Sequence, residues 1–126
     1  MADVQLWKVE PEDHDYPAAE DYLTLLFEKK AAKKLVKKLK SSDIHWRKAK
    51  DLLRASGLAA LDDKNPHVKS DLKKIAEGKA LSPVLLIRGD GLRHRPLLIA
   101  DGYHRICASW ITDENAPIPC RLVSND

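Results

Sequence analysis

Hydrophobic residues in the first half of the chain recur mainly at helical spacing. Residues 4–9 are the exception, because apolar and polar side chains alternate there and predict a short half-buried strand. Residues 18–39 contain no glycine or proline and place apolar residues on one face, which predicts one long helix with Asp15 as a capping residue before it. Residues 44–55 and 66–77 repeat this spacing and predict two further helices, each closed by a glycine.

The second half alternates short apolar runs with one helix. Residues 84–88 carry a nearly continuous apolar run between breakers, which predicts a strand buried on both faces. A glycine-rich turn and a second run at 96–100 predict a β-hairpin. Helical spacing returns at 102–112, and 118–123 predicts a final strand. We therefore expect an α+β fold, a small mixed sheet with packed helices.

Length and composition are typical of one compact domain, since the chain has 126 residues of which 44% are hydrophobic. We expect a single domain over 1–126, with a helical N-terminal portion at 18–57 and a core at 66–123. No apolar run reaches the roughly 20 residues of a membrane helix, and the start lacks a signal-peptide pattern, so we expect a cytoplasmic protein with no membrane association. Cys107 and Cys120 have no disulfide or metal spacing and are expected to be buried free thiols.

The net charge of +3 is mild and does not by itself indicate nucleic-acid binding. One face of the long predicted helix is nevertheless rich in lysine: Lys29, Lys30, Lys33, Lys34, Lys37, Lys38 and Lys40. Such a face can bind an acidic surface or nucleic acid, or it can be a solvated face whose long stems cover the edge of the core. The second interpretation is favoured, because arginine and aromatic partners for bases are missing from that face.

Candidate chemistry lies where the strand at 96–100 leads into the helix at 102–112. The first backbone N–H groups of that helix have no intrahelical partner, and the helix dipole makes this end partially positive. Gly102 permits a backbone conformation closed to other residues and lets a ligand approach, while His104 and Arg105 add donors within the first turn. The junction therefore predicts an anion site, most naturally for a phosphate.

The same residues also have a purely structural interpretation. Asp101 can cap the helix, Gly102 can serve a tight turn, and Arg105 can pair with Asp113 or Glu114. A zinc site at His104 is disfavoured because no second ligand stands at a useful spacing, so we expect no metal ligated by the histidines.

The run Asp101-Gly102-Tyr103-His104-Arg105, within Gly-x-x-Arg-x-x-Ala, resembles the signature of the ParB/sulfiredoxin-like fold, which includes ParB-like nuclease domains. The strand at 84–88 after Ser-Pro is similar to a strand of the same family, and the resemblance covers roughly 68–123. It implies that the motif binds nucleotide phosphates: CTP in ParB, ATP in sulfiredoxin, and ADP or ATP in related serine kinases. Gly102, Tyr103, His104 and Arg105 would then be the phosphate-binding residues.

Two departures from the family limit what the resemblance implies. Sulfiredoxins carry a reactive cysteine immediately before the His-Arg pair, and Tyr103 stands there instead, so sulfinic-acid repair is not expected. ParB proteins that load onto DNA carry a further helix-turn-helix domain and a dimerisation tail, and we do not expect 126 residues to accommodate both.

These observations favour a nucleotide- or phosphate-binding domain, with phosphoryl transfer or phosphodiester cleavage as the implied chemistry. Asp101 and His104 would be its catalytic residues, and Mg²⁺ would accompany ATP or CTP. Whether the domain is an enzyme stays open at this point.

Two alternatives belong to other functional classes. One is a DNA-binding or nuclease module that contacts DNA through the lysine-rich face and through Arg88, Arg93, His94 and Arg95. The other is a non-enzymatic interaction domain whose amphipathic helices form a homodimer or partner surface. The three tryptophans are of interest there, although their spacing is more typical of a core: Trp7, Trp46 and Trp110.

Overall fold

The computed structural model describes residues 5–126 and has helices on both faces of a mixed sheet. Its strands lie in the order β1-β4-β2-β3, with β2 parallel to β4 and the other neighbours antiparallel. This confirms the α+β class. The elements follow in chain order: α1 (Asp15–Leu23), α2 (Lys29–Ser41), β1 (Ile44–Lys48), α3 (Ala49–Ser56), α4 (Pro66–Ala76), β2 (Val84–Ile87), a 3-10 turn (Gly91–Arg93), β3 (Leu98–Asp101), α5 (Tyr103–Thr112) and β4 (Pro117–Val123).

The central strand β2 is buried on both faces, as its apolar run predicts. Val84 and Leu86 belong to one hydrophobic cluster, which includes residues of α3, α4 and α5. Leu85 and Ile87 belong to a second cluster, which includes residues of α1 and α2. Successive side chains of β2 therefore pack against opposite faces of the sheet, and the strand contacts both layers of helices.

The single long helix predicted over 18–39 is wrong. Two helices form instead, α1 and α2, separated by five residues from Thr24 to Glu28. A straight helix of that length would extend about 33 Å at 1.5 Å per residue, whereas four strands span only about 15 Å across a sheet. The break lets Leu23 of α1 and Leu39 of α2 bury in the same cluster, and leaves Leu25 80% exposed.

The prediction of a helix over 44–55 is also wrong for the first half of that segment. Ile44–Lys48 form β1, which pairs antiparallel with β4, and only Ala49–Ser56 are helical. Pairing with a distant strand prevails over a weak local periodicity here.

Trp46 is 57% exposed and Trp110 is 37% exposed, so the expectation that these tryptophans lie in the core is wrong.

The strand predicted over 4–9 is reduced to a single bridge. Trp7 forms an isolated parallel bridge with Leu81, supported by hydrogen bonds from Lys8 N to Leu81 O at 2.8 Å and from Leu81 N to Leu6 O at 2.9 Å. Val4 lies outside the described residues.

The remaining predicted elements are confirmed within a few residues. Asn65 caps α4, since its side-chain oxygen accepts hydrogen bonds from His67 N at 2.9 Å and Val68 N at 3.2 Å. The β2–β3 hairpin, α5 and β4 follow as expected. Cys107 and Cys120 are free and buried. Within residues 5–126, no helix combines the length and the apolar character needed to cross a membrane.

Candidate functional site

The predicted motif opens onto a cavity of about 290 Å³ at the end of β3, which we call the motif pocket. Segments from α1 and α4 complete its wall, together with the loop before β2. Its polar lining contains four carboxylates, three imidazoles, one lysine, one arginine and two serines: Glu12, Asp15, Asp71, Asp101, His14, His67, His104, Lys74, Arg105, Ser70 and Ser82. Gly102, Ala80 and Leu81 also line it.

Gly102 is required by the fold at the point where α5 begins. Its φ is 112°, a left-handed conformation that favours glycine. A Cβ atom at this position would lie 2.4 Å from Val84 Cγ1 and 3.0 Å from Arg105 Nη2. A side chain at position 102 would therefore collide with other residues of the protein. This close packing explains the glycine without a ligand.

Asp101 and Arg105 form an ion pair across the strand-to-helix junction, with 3.0 Å between Oδ2 and Nη2. Arg105 Nη2 also donates to the Pro83 carbonyl at 3.2 Å. The alternative in which Arg105 pairs with Asp113 or Glu114 is therefore wrong. The alternative in which Asp101 caps α5 is wrong too, because no side chain caps this helix.

Part of the Arg105 guanidinium is still available. Its side chain is 16% exposed and lines the motif pocket, and its Nε is buried without a hydrogen-bond partner. An arginine held by one carboxylate, with donors left over, can still bind an anion.

Asp15 is one of the residues of this site that sequence reasoning missed. The sequence suggests only a capping role for it, yet its side chain is 3% exposed and accepts hydrogen bonds from Ser82 Oγ at 2.7 Å and Glu12 N at 3.0 Å. Burial raises the pKa of Asp101, the Arg105 guanidinium opposes that rise, and the neighbouring Asp15 carboxyl adds to it. Nothing in the sequence brings Asp15 to Asp101, because the two residues are 86 positions apart.

His104 stands beside a second imidazole that the sequence did not indicate. Its ring centroid lies 4.8 Å from that of His67 on α4, at 41° between the planes. Burial lowers the pKa of His104, and the proximity of His67 lowers it further, while Asp71 acts in the opposite direction. The neutral imidazole of His104 is therefore favoured in the free protein.

Tyr103 does not line the motif pocket, although the resemblance implies that it binds phosphate. Its hydroxyl donates a hydrogen bond to the Ala59 carbonyl in the loop before α4. Burial raises the pKa of this phenol. The structure thus brings four residues of the predicted motif to the pocket, Asp101, Gly102, His104 and Arg105, and places the fifth against a neighbouring loop.

No protein-family model, curated protein or solved structure matches the chain. The resemblance to the ParB/sulfiredoxin-like fold therefore stays a prediction from the motif. Across residues 5–126, no group of three or more His, Cys, Asp or Glu side chains is arranged to hold a metal ion.

Proposed function

We propose that the motif pocket binds the phosphate groups of a nucleotide or of another phosphate ester. The observation that carries the proposal is the convergence of His67, His104 and Arg105 on one cavity at the N-terminal end of α5. Guanidinium and imidazole groups donate to phosphate oxygens, and the helix end adds unpaired amides and a favourable dipole. No carboxylate competes for those amides, because α5 has no side-chain cap.

The volume of the pocket limits which part of a nucleotide it can take. Sites that enclose drug-sized ligands have volumes of about 300–1,000 Å³, and the motif pocket has about 290 Å³. The motif pocket can therefore hold one or more phosphate groups while the base stays outside it. Because the base is not enclosed, we expect ATP and CTP to bind with similar affinity.

The carboxylates of the pocket oppose an anion unless they are neutralised. Arg105 already neutralises Asp101. Asp15 and Asp101 also have the chemistry to hold Mg²⁺, which binds through one or two carboxylates together with substrate phosphates. Bound there, the cation would supply charge neutralisation for the phosphates. The proposal therefore predicts tighter nucleotide binding when Mg²⁺ is present.

If the bound ester reacts, His67 and His104 are the residues that can transfer a proton. Burial lowers the pKa of His104 and a bound phosphate opposes that shift, so the imidazole can exchange a proton with the bound ester near neutral pH. Phosphoryl transfer and phosphodiester cleavage can both use such a proton transfer. The proposal includes a cytoplasmic location, where nucleotides are present and thiols stay reduced.

The experiment is isothermal titration calorimetry of the whole chain with ATP, CTP and orthophosphate, each with and without Mg²⁺. His104→Gln and Arg105→Lys should each weaken nucleotide binding about tenfold, because the first removes an imidazole that can carry a positive charge and the second removes the planar fork. Arg54→Ala is the matched control, since it removes a positive charge that is 86% exposed and outside the motif pocket. Circular dichroism checks that each variant folds.

Failure of all three ligands to bind the wild-type chain at millimolar concentration would overturn the proposal. Equal weakening by Arg54→Ala would overturn it as well, because the affinity would then reflect net charge rather than the pocket.

A further inference from the structure

A second set of basic residues lies at the other end of the sheet from the motif pocket. Asp101 pairs with Leu85 near the start of β2, so the pocket is at that end. Arg88 follows the last residue of β2, at the end where the parallel strand β4 also finishes. Arg93 and Arg95 stand in the hairpin that returns to β3, and all three arginines are exposed. We call them the hairpin arginines.

The hairpin that carries them is held by its backbone. Asp90 and Arg95 exchange two backbone hydrogen bonds of 2.9 Å. A Cβ atom on Gly89 would lie 2.4 Å from the Arg95 carbonyl oxygen, which shows how closely the two chains of the hairpin approach. The Asp90 side chain accepts from Leu92 N at 3.1 Å and fixes the 3-10 turn. The backbone that carries Arg88 and Arg95 is therefore fixed before any ligand arrives.

Most of this positive charge has no carboxylate partner. Asp90 lies 3.6 Å from Arg93 Nε, and Asp51 lies 3.5 Å from Arg54 Nη2. Among residues 5–126, neither Arg88 nor Arg95 has a carboxylate oxygen within 4.0 Å. In the same part of the chain, Arg47 on β1 has no carboxylate oxygen within 4.0 Å either. The carboxylates of Asp90 and Asp51 are thus each already close to another arginine.

Two grooves flank the hairpin and share Arg88, Gly89, Asp90 and Arg95. One has a volume of about 460 Å³ and apolar walls that include Phe27. The other has a volume of about 450 Å³ and apolar walls that include Leu52, and Arg47 and Asp51 also line it. Arg88 and Arg95 therefore line both grooves, beside walls that are largely apolar.

We propose that the hairpin arginines bind a single-stranded nucleic acid across the β2–β3 hairpin. Guanidinium forks fit phosphate oxygens, and each apolar groove has the size for an unstacked base. A duplex stacks its base faces against one another and leaves these grooves unfilled, so the single strand is the better partner. This site is separate from the motif pocket and does not depend on the function proposed for it.

The hairpin is not the most lysine-rich surface of the protein, so charge density alone would place the nucleic acid on α2. The exposed lysines of α2 are more numerous, yet none of them lines either groove. Lysine ammonium groups also lack the fork that pairs with two phosphate oxygens. The proposal therefore places the nucleic acid on the hairpin and not on α2.

The test is fluorescence anisotropy with a labelled 12-nucleotide oligothymidine, an oligouridine of the same length and a 12-base-pair duplex at low salt. The variant Arg88→Gln/Arg95→Gln should weaken single-strand binding at least tenfold and reduce the salt slope by about 0.7 for each phosphate group that is no longer neutralised. Lys33→Gln/Lys34→Gln removes two charges from α2 and is the matched control, expected to change the affinity less than twofold. Arg88→Lys/Arg95→Lys retains the charge and should recover only part of the binding.

Three results would overturn the proposal: no binding of either oligonucleotide by the wild-type chain, equal loss in the two glutamine variants, or a duplex bound as tightly as the single strands. Competition by polyglutamate as strong as by the oligonucleotide would also overturn it, in favour of an acidic protein partner. Arg105→Lys should leave the affinity unchanged, and a loss there would place the strand in the motif pocket instead.

Discussion

Asp101 and Arg105 join β3 to α5 through an ion pair of 3.0 Å between Oδ2 and Nη2. Both side chains are more than four fifths buried, with exposures of 18% and 16%. The arginine that the motif marks for phosphate binding is therefore also part of the structure of the junction. A bound phosphate would share Arg105 with Asp101.

Breaking this pair should destabilise the protein. Arg105→Met leaves the Asp101 carboxylate buried near Asp15 without its cation, and we expect a loss of about 2–3 kcal/mol in the free energy of unfolding. Asp101→Asn with Arg105→Met should recover part of that loss, because no unpaired charge is left. Urea unfolding of the two single variants and the double variant measures the coupling, and a coupling below about 0.5 kcal/mol contradicts the importance of the pair.

Gly102→Ala should be among the most damaging small substitutions in the chain. The new Cβ would meet Val84 Cγ1 at 2.4 Å in a backbone with φ of 112°, so we expect a loss of about 2–4 kcal/mol. Gly57→Ala is the control, because Gly57 is also left-handed but has open space around it, and about 1–2 kcal/mol is expected there. Thermal unfolding compares the two, and equal losses would show that packing against Val84 is unimportant.

Nucleotide binding should tighten as the pH is lowered. Burial holds the pKa of His104 below its ordinary value of about 6.5 in the free protein, and a bound phosphate favours the imidazolium. Binding therefore takes up a proton, and the affinity should rise as the pH falls from about 8 towards about 5.5. His104→Gln should flatten the dependence in calorimetric titrations, whereas an unchanged profile in that variant would assign the proton to another group.

The break between α1 and α2 can be tested with two leucines that are two positions apart. Leu23 is fully buried, so Leu23→Ala should cost about 2–5 kcal/mol. Leu25 is 80% exposed, so Leu25→Ala should change the stability by less than about 0.5 kcal/mol. Denaturant unfolding distinguishes these outcomes. A large loss for Leu25→Ala would contradict the break.

The two thiols should be unreactive in the folded protein. Burial raises the pKa of Cys120 to about 11 and also raises the pKa of Cys107, and both side chains are inaccessible. Because the thiolate is the reactive form, labelling by a disulfide reagent at about pH 8 should be about 100-fold slower than in urea. Ser41→Cys supplies an exposed thiol as a positive control. Rapid labelling of the wild-type folded chain would contradict the burial of both residues.

Local signals in the sequence were sufficient for several parts of the fold. The apolar run at 84–88 predicted a strand buried on both faces, and Val84 and Leu85 do enter opposite clusters. Asn65 and the proline after it predicted the start of α4, since capping depends only on neighbouring residues. The motif at Gly102 predicted the junction between a strand and a helix for the same reason.

The sequence alone determined the elements whose cause is local, and it marked His104 and Arg105 as candidate ligands for an anion. Only the tertiary structure decided that 44–48 is a strand, that 18–39 breaks into two helices, and that Asp15 and His67 join the motif pocket. The physical reason is distance along the chain. Strand pairing with β4, the dimensions of the sheet and the approach of Asp15 to Asp101 depend on residues far apart in sequence, and no local pattern encodes them.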